Sequence, residues 1–268
     1  MFSNLKTLVR YRGLITSLVA RELKARYRGS VFGFLWSFIN PLLLLINYSF
    51  VFTKILPYET PGVQPFAVFM FCGILPWNWF ATSLSDAAGS LIAGGNLIKK
   101  VLFPAEVLPL VSVLANMVHF FLGLPILVVF LLAARPPHYP DPSDLVWFPV
   151  AVLVQLIFSS ALALILAALT VHFRDIRDIL ANVLMLWFFA TPIIYPWFQP
   201  SVRKFHTFFD VNPFTHLAVT YQEVLFFNEG PVGHWKWLLG YLGIGSVVLF
   251  LAGYWLFDRL RDSFAEAV

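Results

Sequence analysis

Charge is what this sequence has least of. Asp, Glu, Lys and Arg together make up 12% of 268 residues, against 59% hydrophobic residues. A soluble domain of this length carries about a quarter charged residues. With so few, the chain cannot cover a globule with a solvated surface, so lipid is its main solvent. Cysteine is nearly absent as well. Cys72 stands alone inside an apolar run, which excludes an intramolecular disulfide and leaves a redox or metal role without partners. It reads as a small packing residue. No G-x-x-x-x-G-K-[ST] phosphate loop occurs, because GGNLIKK lacks both the spacing and the hydroxyl, and there is no H-E-x-x-H pair. Carboxylates in the apolar runs sit only at the edges, Asp86 and Glu106. An ion-coupled carrier usually keeps an acid or base in mid-span, where it is costly and retained for function. These absences weigh against an enzyme and against a proton-driven carrier. What remains is a conduit whose energy comes from elsewhere.

The charges that are present divide the chain. Six uncharged runs of 21 to 29 residues lie between Arg28 and Lys54, Glu59 and Asp86, Glu106 and Arg135, Asp144 and Arg174, Asp178 and Arg203, and Lys236 and Asp258. A helix needs roughly 20 apolar residues to cross the hydrocarbon core. The sequence therefore predicts an all-α integral membrane protein with a single transmembrane domain over 1–268. Its parts are an interface segment at 1–30, six spans within 31–257, and a tail at 258–268. The spans are placed at about 31–53, 64–87, 105–133, 145–171, 179–197 and 237–257. Lys6, Arg10 and Arg12 interrupt any apolar core of the kind a signal peptide requires.

Six spans put both termini on one side, together with thirteen of the 18 Lys and Arg residues; the other side holds five. The positive-inside bias places the termini in the cytoplasm. This collar accounts for the net charge of +4 without a nucleic-acid partner, and anionic lipid heads attract it. In RELKARYRGSVFGFLW the basic residues press against the first span. Leu5, Leu8, Val9, Tyr11, Ile15 and Leu18 recur at three- and four-residue steps with the bases mostly between them. That is a helix lying in the interface plane, with Gly29 and Ser30 allowing a bend before the chain enters the bilayer. Such a helix is either a lipid anchor or a lever against a soluble partner.

Polar residues inside the spans mark faces. Trp36, Asn40 and Asn47 share one side of span 1, where Pro41 predicts a kink. Span 2 carries Trp77 and Trp79 above Asn78, Thr82, Ser85 and Asp86. Membrane amides want partners in protein or water, so these either tie helices together or line a polar path. Asn116 and His119 form a polar pair in span 3; without a buried carboxylate beside it, the histidine reads as packing rather than a proton relay. GSLIAGGNLIKKVLFP is too short and broken to span and reads as a short helix against the membrane. HFRDIRDI is a compact turn of alternating sign, either self-paired or a docking knob. The stretch from 198 to 236 is too polar to cross and too apolar for water. Its rings (among them Phe205, Phe208, Phe209, Phe214, Tyr221, Phe226, Phe227 and Trp235) predict short helices dipping into the outer leaflet, where irregular backbone must be shielded by protein or line a wet cavity. It is the candidate exit gate.

LVARELKARYRGSVFGFLWSFINPLLLLINYSFVF resembles the start of the type-2 ABC exporter permeases that move polysaccharides, the O-antigen, capsule and teichoic-acid exporters. KKVLFPAEVLPL, HFRDIRDI and ATPIIYP followed by NPF agree, so the resemblance covers nearly the whole chain. Phe32 and Phe34 stand where relatives often have aliphatic residues. The resemblance implies a bacterial cytoplasmic-membrane permease working as two copies with two copies of a separate ATPase. That partner would carry ATP and Mg, and this chain would bind no cofactor or metal and catalyse nothing itself. The cargo would be a sugar polymer on a polyprenyl diphosphate lipid. The parts that feel ATP would be the interface helix (Arg21, Glu22, Lys24, Arg26, Arg28) and the segment with Leu91, Asn96, Lys99 and Lys100. This implication favours the lever.

Aromatic rings stack on sugar faces and tolerate sliding, and the chain has 29 Phe, 9 Trp and 9 Tyr, although Trp and Tyr also gather at membrane interfaces for their own reasons. The residues expected to line the polymer path are Trp36, Asn40, Asn47, Trp77, Asn78 and Thr82, where rings and amides coincide. Those expected at the outer gate are Phe205, Phe208, Phe209, Asn212, Pro213 and Tyr221. Two other classes compete. A type-2 ABC exporter of drugs or lipids would need a closed apolar pocket. A membrane-embedded glycosyltransferase would need clustered carboxylates, or an Asp or Glu with a His near one interface, for which Asp210 with His206 is the outer-face hint.

Overall fold

The structure, a computed structural model, describes residues 11–55, 62–99, 103–134, 139–227 and 237–267. Of the residues named above, Leu5, Lys6, Leu8, Val9, Arg10, Glu59, Lys100, Arg135, Trp235 and Lys236 lie outside them. Every regular element among the described residues is helical. A chain in lipid must satisfy its backbone polar groups internally, and a helix does so within one segment. In chain order the helices are α1 (Arg12–Arg26), α2 (Trp36–Phe50), α3 (Phe66–Ala93), α4 (Gly95–Ile98), α5 (Val107–Ala133) and α6 (Trp147–His172), then α7 (Ile176–Phe189), α8 (Pro200–Arg203), α9 (His206–Val211), α10 (Pro213–Gln222) and α11 (Ile244–Ala267).

Among the described residues five stretches are long and apolar enough to cross a membrane: Gly33–Ile55, Phe66–Ala93, Val107–Ala133, Trp147–His172 and Gly240–Phe264. The window predicted at 179–197 takes another form. Its helix, α7, has 14 residues, or about 21 Å at 1.5 Å per residue, about two thirds of a hydrocarbon core of about 30 Å. Non-helical chain continues it from Ala190, which is consistent with six spans. Thr191 precedes a proline, which disfavours helical backbone, and Pro192 has no N–H to continue the ladder. The chain then turns back through α8 and α9 into α10. The carbonyls exposed by this break find a donor: Gln222 Nε2 lies 3.2 Å from the Pro192 oxygen and 3.3 Å from that of Ile193.

Helix α3 is the hub. Of its apolar window 83% is buried, against 11% for the span containing α2. It packs against α5, α6, α7, α10 and α2. Lipid is as apolar as a protein core, so close packing rather than transfer from water holds such helices together. An aromatic cluster does this in mid-bundle. Trp77 meets Phe214 edge-on at 4.9 Å, and Phe80 stacks on Phe158 at 5.6 Å and meets Trp187 at 5.3 Å. Gln155 Nε2 donates to the Pro76 carbonyl at 2.8 Å. From Phe214 to Gln222 every residue of α10 is buried. The segment expected to dip into the membrane thus reaches the core.

At the basic end, α1 does not rest on lipid alone. Leu14, Ile15, Leu18 and Val19 pack on Val107, Val111 and Phe103 at the start of α5. The last turns of α11 bury Phe257 and Phe264 against Leu91 and the end of α6, with Leu97 and Ile98 of α4 beside them. Gly94 makes the corner between α3 and α4, and a Cβ there would run into the Leu108 side chain and the Ser90 carbonyl. Gly94→Ala is therefore expected to destabilise the protein by about 1–3 kcal/mol through overpacking, read as a lower melting temperature of the purified protein in detergent.

Candidate transport cleft and coupling face

The approach to the first span is built by two glycines. After α1 ends at Arg26, Gly29 takes φ +82° and Gly33 φ +49°, backbone conformations that L side chains adopt at a cost. The bend expected at Gly29 and Ser30 is there, extended by a 3-10 turn at Gly33–Leu35. The Trp36 indole N–H donates to Ser30 Oγ at 3.0 Å, which fastens the bend to the head of α2.

Beyond the bend, α2, α3 and α5 enclose a cleft of about 370 Å³. Four of the six predicted path residues line it, Trp36, Asn40, Asn78 and Thr82, together with Arg26, Tyr27, Asn116 and His119. Asn40 and Asn78 are exposed, and their amides make no hydrogen bond to a described residue. Asn47 is exposed about two turns further along α2 and does not line the cleft. Trp77 lies in the aromatic core. Neighbours on a helix point about 100° apart, so Trp77 and Asn78 cannot share a face.

The floor of the cleft is a closed set of polar bonds. Arg26 Nη2 donates to Asp86 Oδ2 at 2.6 Å and its Nη1 to Asn116 Oδ1 at 2.9 Å. Asn116 Nδ2 donates to the same Asp86 oxygen at 2.8 Å and to the Ser112 carbonyl at 2.9 Å. One arginine thus ties α1 to α3 and α5. The pair is partly exposed, with side chains 29% and 40% accessible, and exposed ion pairs contribute about 0–1 kcal/mol. Such a tie holds a geometry yet can open reversibly. Beside it, Ser37 Oγ donates to the Tyr27 phenol at 2.9 Å, and that phenol lies 3.5 Å from His119 Nδ1.

Below the floor lies a groove of about 550 Å³ between α1, α3, α4 and α5. Arg21 and Glu22 line it from α1 and Asn96 from α4, with Ser85, Gly89 and Ser90 along α3. Arg177 reaches in from the first turn of α7 and lies over Gly89. Lys24, Arg28 and Lys99 are exposed around it, whereas Leu91 is fully buried and holds α4 to the bundle. The 172–179 turn is not self-paired: among the described residues Arg174, Asp175, Arg177 and Asp178 form no ion pair.

At the other end the predicted gate residues separate. Phe205 and Phe208 are exposed and Phe209 is half-buried, while Tyr221 packs against Phe120 and Phe148 in the core. Asn212 caps α10, its side chain accepting from Phe214 N, with Pro213 as the first helical residue. His206 Nδ1 faces the Arg203 carbonyl at 3.2 Å, and the Asp210 carbonyl lies 2.9 Å from His216 Nε2. The hinted Asp210–His206 pair is therefore not assembled here.

Sequence reasoning missed the Arg26–Asp86 tie, 60 residues apart in the chain. The available signal was Asp86 itself, a carboxylate at a span edge that needed a cation.

Comparison with known proteins places this geometry. The description ABC-2 type transporter fits residues 13–226. Over its whole length and the whole of the relative, the chain is 42% identical to the O-antigen export system permease protein RfbA of Myxococcus xanthus. It is 32% identical to the protein of the same name from Klebsiella pneumoniae, over 94% of each chain. With the capsule polysaccharide export inner-membrane protein CtrC of Neisseria meningitidis serogroup B it shares 26% identity over 63% of this chain and 62% of that one. The chain belongs to the ABC-2 type transporter family.

Proposed function

We propose that this chain is the permease subunit of an ATP-driven exporter that moves a lipid-linked, O-antigen-like polysaccharide across the bacterial cytoplasmic membrane. The observation that carries this reading is the end-to-end similarity to an O-antigen export system permease at 42% identity. The geometry agrees with it. A cleft with two amides unpartnered among the described residues and an indole wall suits a hydroxylated chain that must slide, because rings grip sugar faces without fixed hydrogen-bond geometry. A drug site would be more closed and more apolar.

In this reading both termini lie in the cytoplasm, as the basic collar favours. Two copies of a separate ATPase bind ATP and Mg and press on the groove between α1 and α4, where Arg21, Glu22 and Asn96 converge. Arg177 lines that groove, and Arg174 and Asp178 line a cavity that adjoins it at Arg177 and Ser85. A second copy of this chain covers part of the apolar surface that α2 and α7 leave exposed, including Leu43, Ile46 and Phe50 on one and Met185, Leu186 and Phe189 on the other. Membrane lipid covers the rest.

Deleting the gene in its host tests the reading. Lipid-linked polymer is expected to accumulate on the cytoplasmic side while synthesis continues. Polymer that is never made would assign the chain to synthesis, and normal surface polymer would leave another cargo, a drug or a lipid.

A further inference from the structure

We propose that Arg26, Asp86 and Asn116 form a removable wall that divides the cleft from the groove at the basic end, and that movement of α1 opens it. Arg26 and Asn116 line the cleft, and Asp86 lines the groove, as does Ser112, whose carbonyl anchors Asn116. The two cavities therefore share this set of side chains as their boundary. The polar face of α3 runs past it without interruption, from Asn78 and Thr82 in the cleft to Ser85 and Ser90 in the groove. Arg26 closes the gap because it is the last residue of α1 and carries a two-pronged donor, one prong for each neighbouring helix.

Two further observations make the wall movable. The helix that carries Arg26 is joined to the first span through Gly29 and Gly33, both at positive φ, and a Cβ at either would meet nothing within 4 Å. Neither glycine is therefore packed in place, and the joint is fastened by a side-chain bond, from Trp36 to Ser30, that can open. The closed arrangement also leaves His119 Nε2 buried with no partner among the described residues, a cost that an opened cleft relieves by admitting water or a ligand hydroxyl. Arg26, Asp86 and Asn116 are positioning residues in this scheme. They rest on the exporter reading for what passes through, but not for whether the wall opens.

The test exploits the sole native cysteine, Cys72, which is fully buried and gives no background. Thr82→Cys places a thiol in the cleft one helical turn above Asp86. Its rate of modification by a negatively charged methanethiosulfonate is measured in membrane vesicles of either orientation, from cells making the chain with its ATPase. Arg26→Ala and Asp86→Ala are each expected to raise the rate at least about fivefold by shifting the population toward the open wall. The exchange of Arg26→Asp with Asp86→Arg should return it toward the parent value. Single variants within about twofold of the parent, or an exchange that leaves the rate raised, would overturn the proposal. Should the alanine variants fail to accumulate, Arg26→Lys decides: it keeps the charge without the fork, so a raised rate supports the wall and a parent-like rate removes it. Polymer movement is followed in parallel vesicles. Labelling as expected without polymer transport defeats the exporter reading alone; transport with unchanged labelling defeats the wall alone.

Discussion

Asn212→Leu is expected to leave almost no folded protein in the membrane. The Asn212 amide is buried where the break after α7 meets the start of α10, and every polar atom of it is used. Oδ1 accepts from the Trp187 indole N–H at 2.7 Å and from the Phe214 backbone N–H at 3.1 Å. Nδ2 donates to the Ala190 carbonyl at 2.9 Å and to Thr191 Oγ1 at 3.0 Å. Leucine has the same branched shape, with bulkier methyl groups, but satisfies none of them. Leaving a buried donor or acceptor unmade costs about 1–3 kcal/mol each, so even with partial rearrangement the loss is roughly 3–5 kcal/mol, the range of the most damaging single substitutions. That is most of the total at the low end of the usual range of about 5–15 kcal/mol. Trp187→Phe is the matched comparison. It removes one bond while Phe214 N still serves Oδ1, and it should cost about 1 kcal/mol and fold. Fluorescence-detected size-exclusion chromatography of detergent extracts reads both, and a normal monodisperse yield of Asn212→Leu would contradict the account.

Asn212 also illustrates what a sequence discloses. The run ATPIIYP followed by NPF marks this place as structured, and prolines at 192 and 196 predict the break. Nothing in the run says that the asparagine faces inward and bridges segments some twenty residues apart. The same limit applies elsewhere. The apolar stripe of α1 is visible as Leu14, Ile15, Leu18 and Val19, yet a stripe looks alike whether it meets lipid or the start of α5. Asn78 and Thr82, four residues apart, are correctly read as one face of a helix, whereas the adjacent Trp77 belongs to another by helical geometry alone. Tyr221 and Phe205 lie in one aromatic-rich stretch; only packing separates the buried ring from the exposed one. Periodicity gives faces, in short, and chain separation hides which faces meet. The bond from Arg26 to Asp86 is of that kind, since each residue is conspicuous by itself and the pairing depends on where α1 lies.

Asn40 and Asn78 are the opposite case from Asn212, and opposite results are expected of them. Asn40→Leu together with Asn78→Leu should accumulate as folded protein at the parent level and slow polymer export about tenfold. Folding is spared because neither amide bonds a described residue, so no partner is stranded when it goes. Two exposed amides on the facing helices α2 and α3 offer their donors and acceptors to whatever enters the cleft. Hydroxyl groups of a sugar can use both, and a hydrogen bond to a neutral ligand contributes about 0.5–1.5 kcal/mol. Losing one should therefore slow export by a few-fold and losing both by about tenfold, since 1.4 kcal/mol corresponds to that factor. Trp36→Ala is a less clean probe, because its indole also holds Ser30 at the bend and its loss loosens the joint as well as the wall of the cleft. The measurement is the rate at which polymer reaches the cell surface after induction, normalised to the amount of folded chain. A double variant that exports at the parent rate would move the polymer path out of this cleft, toward the exposed face of α2 that carries Asn47. A double variant that fails to fold would show instead that these amides are structural, which their lack of partners argues against.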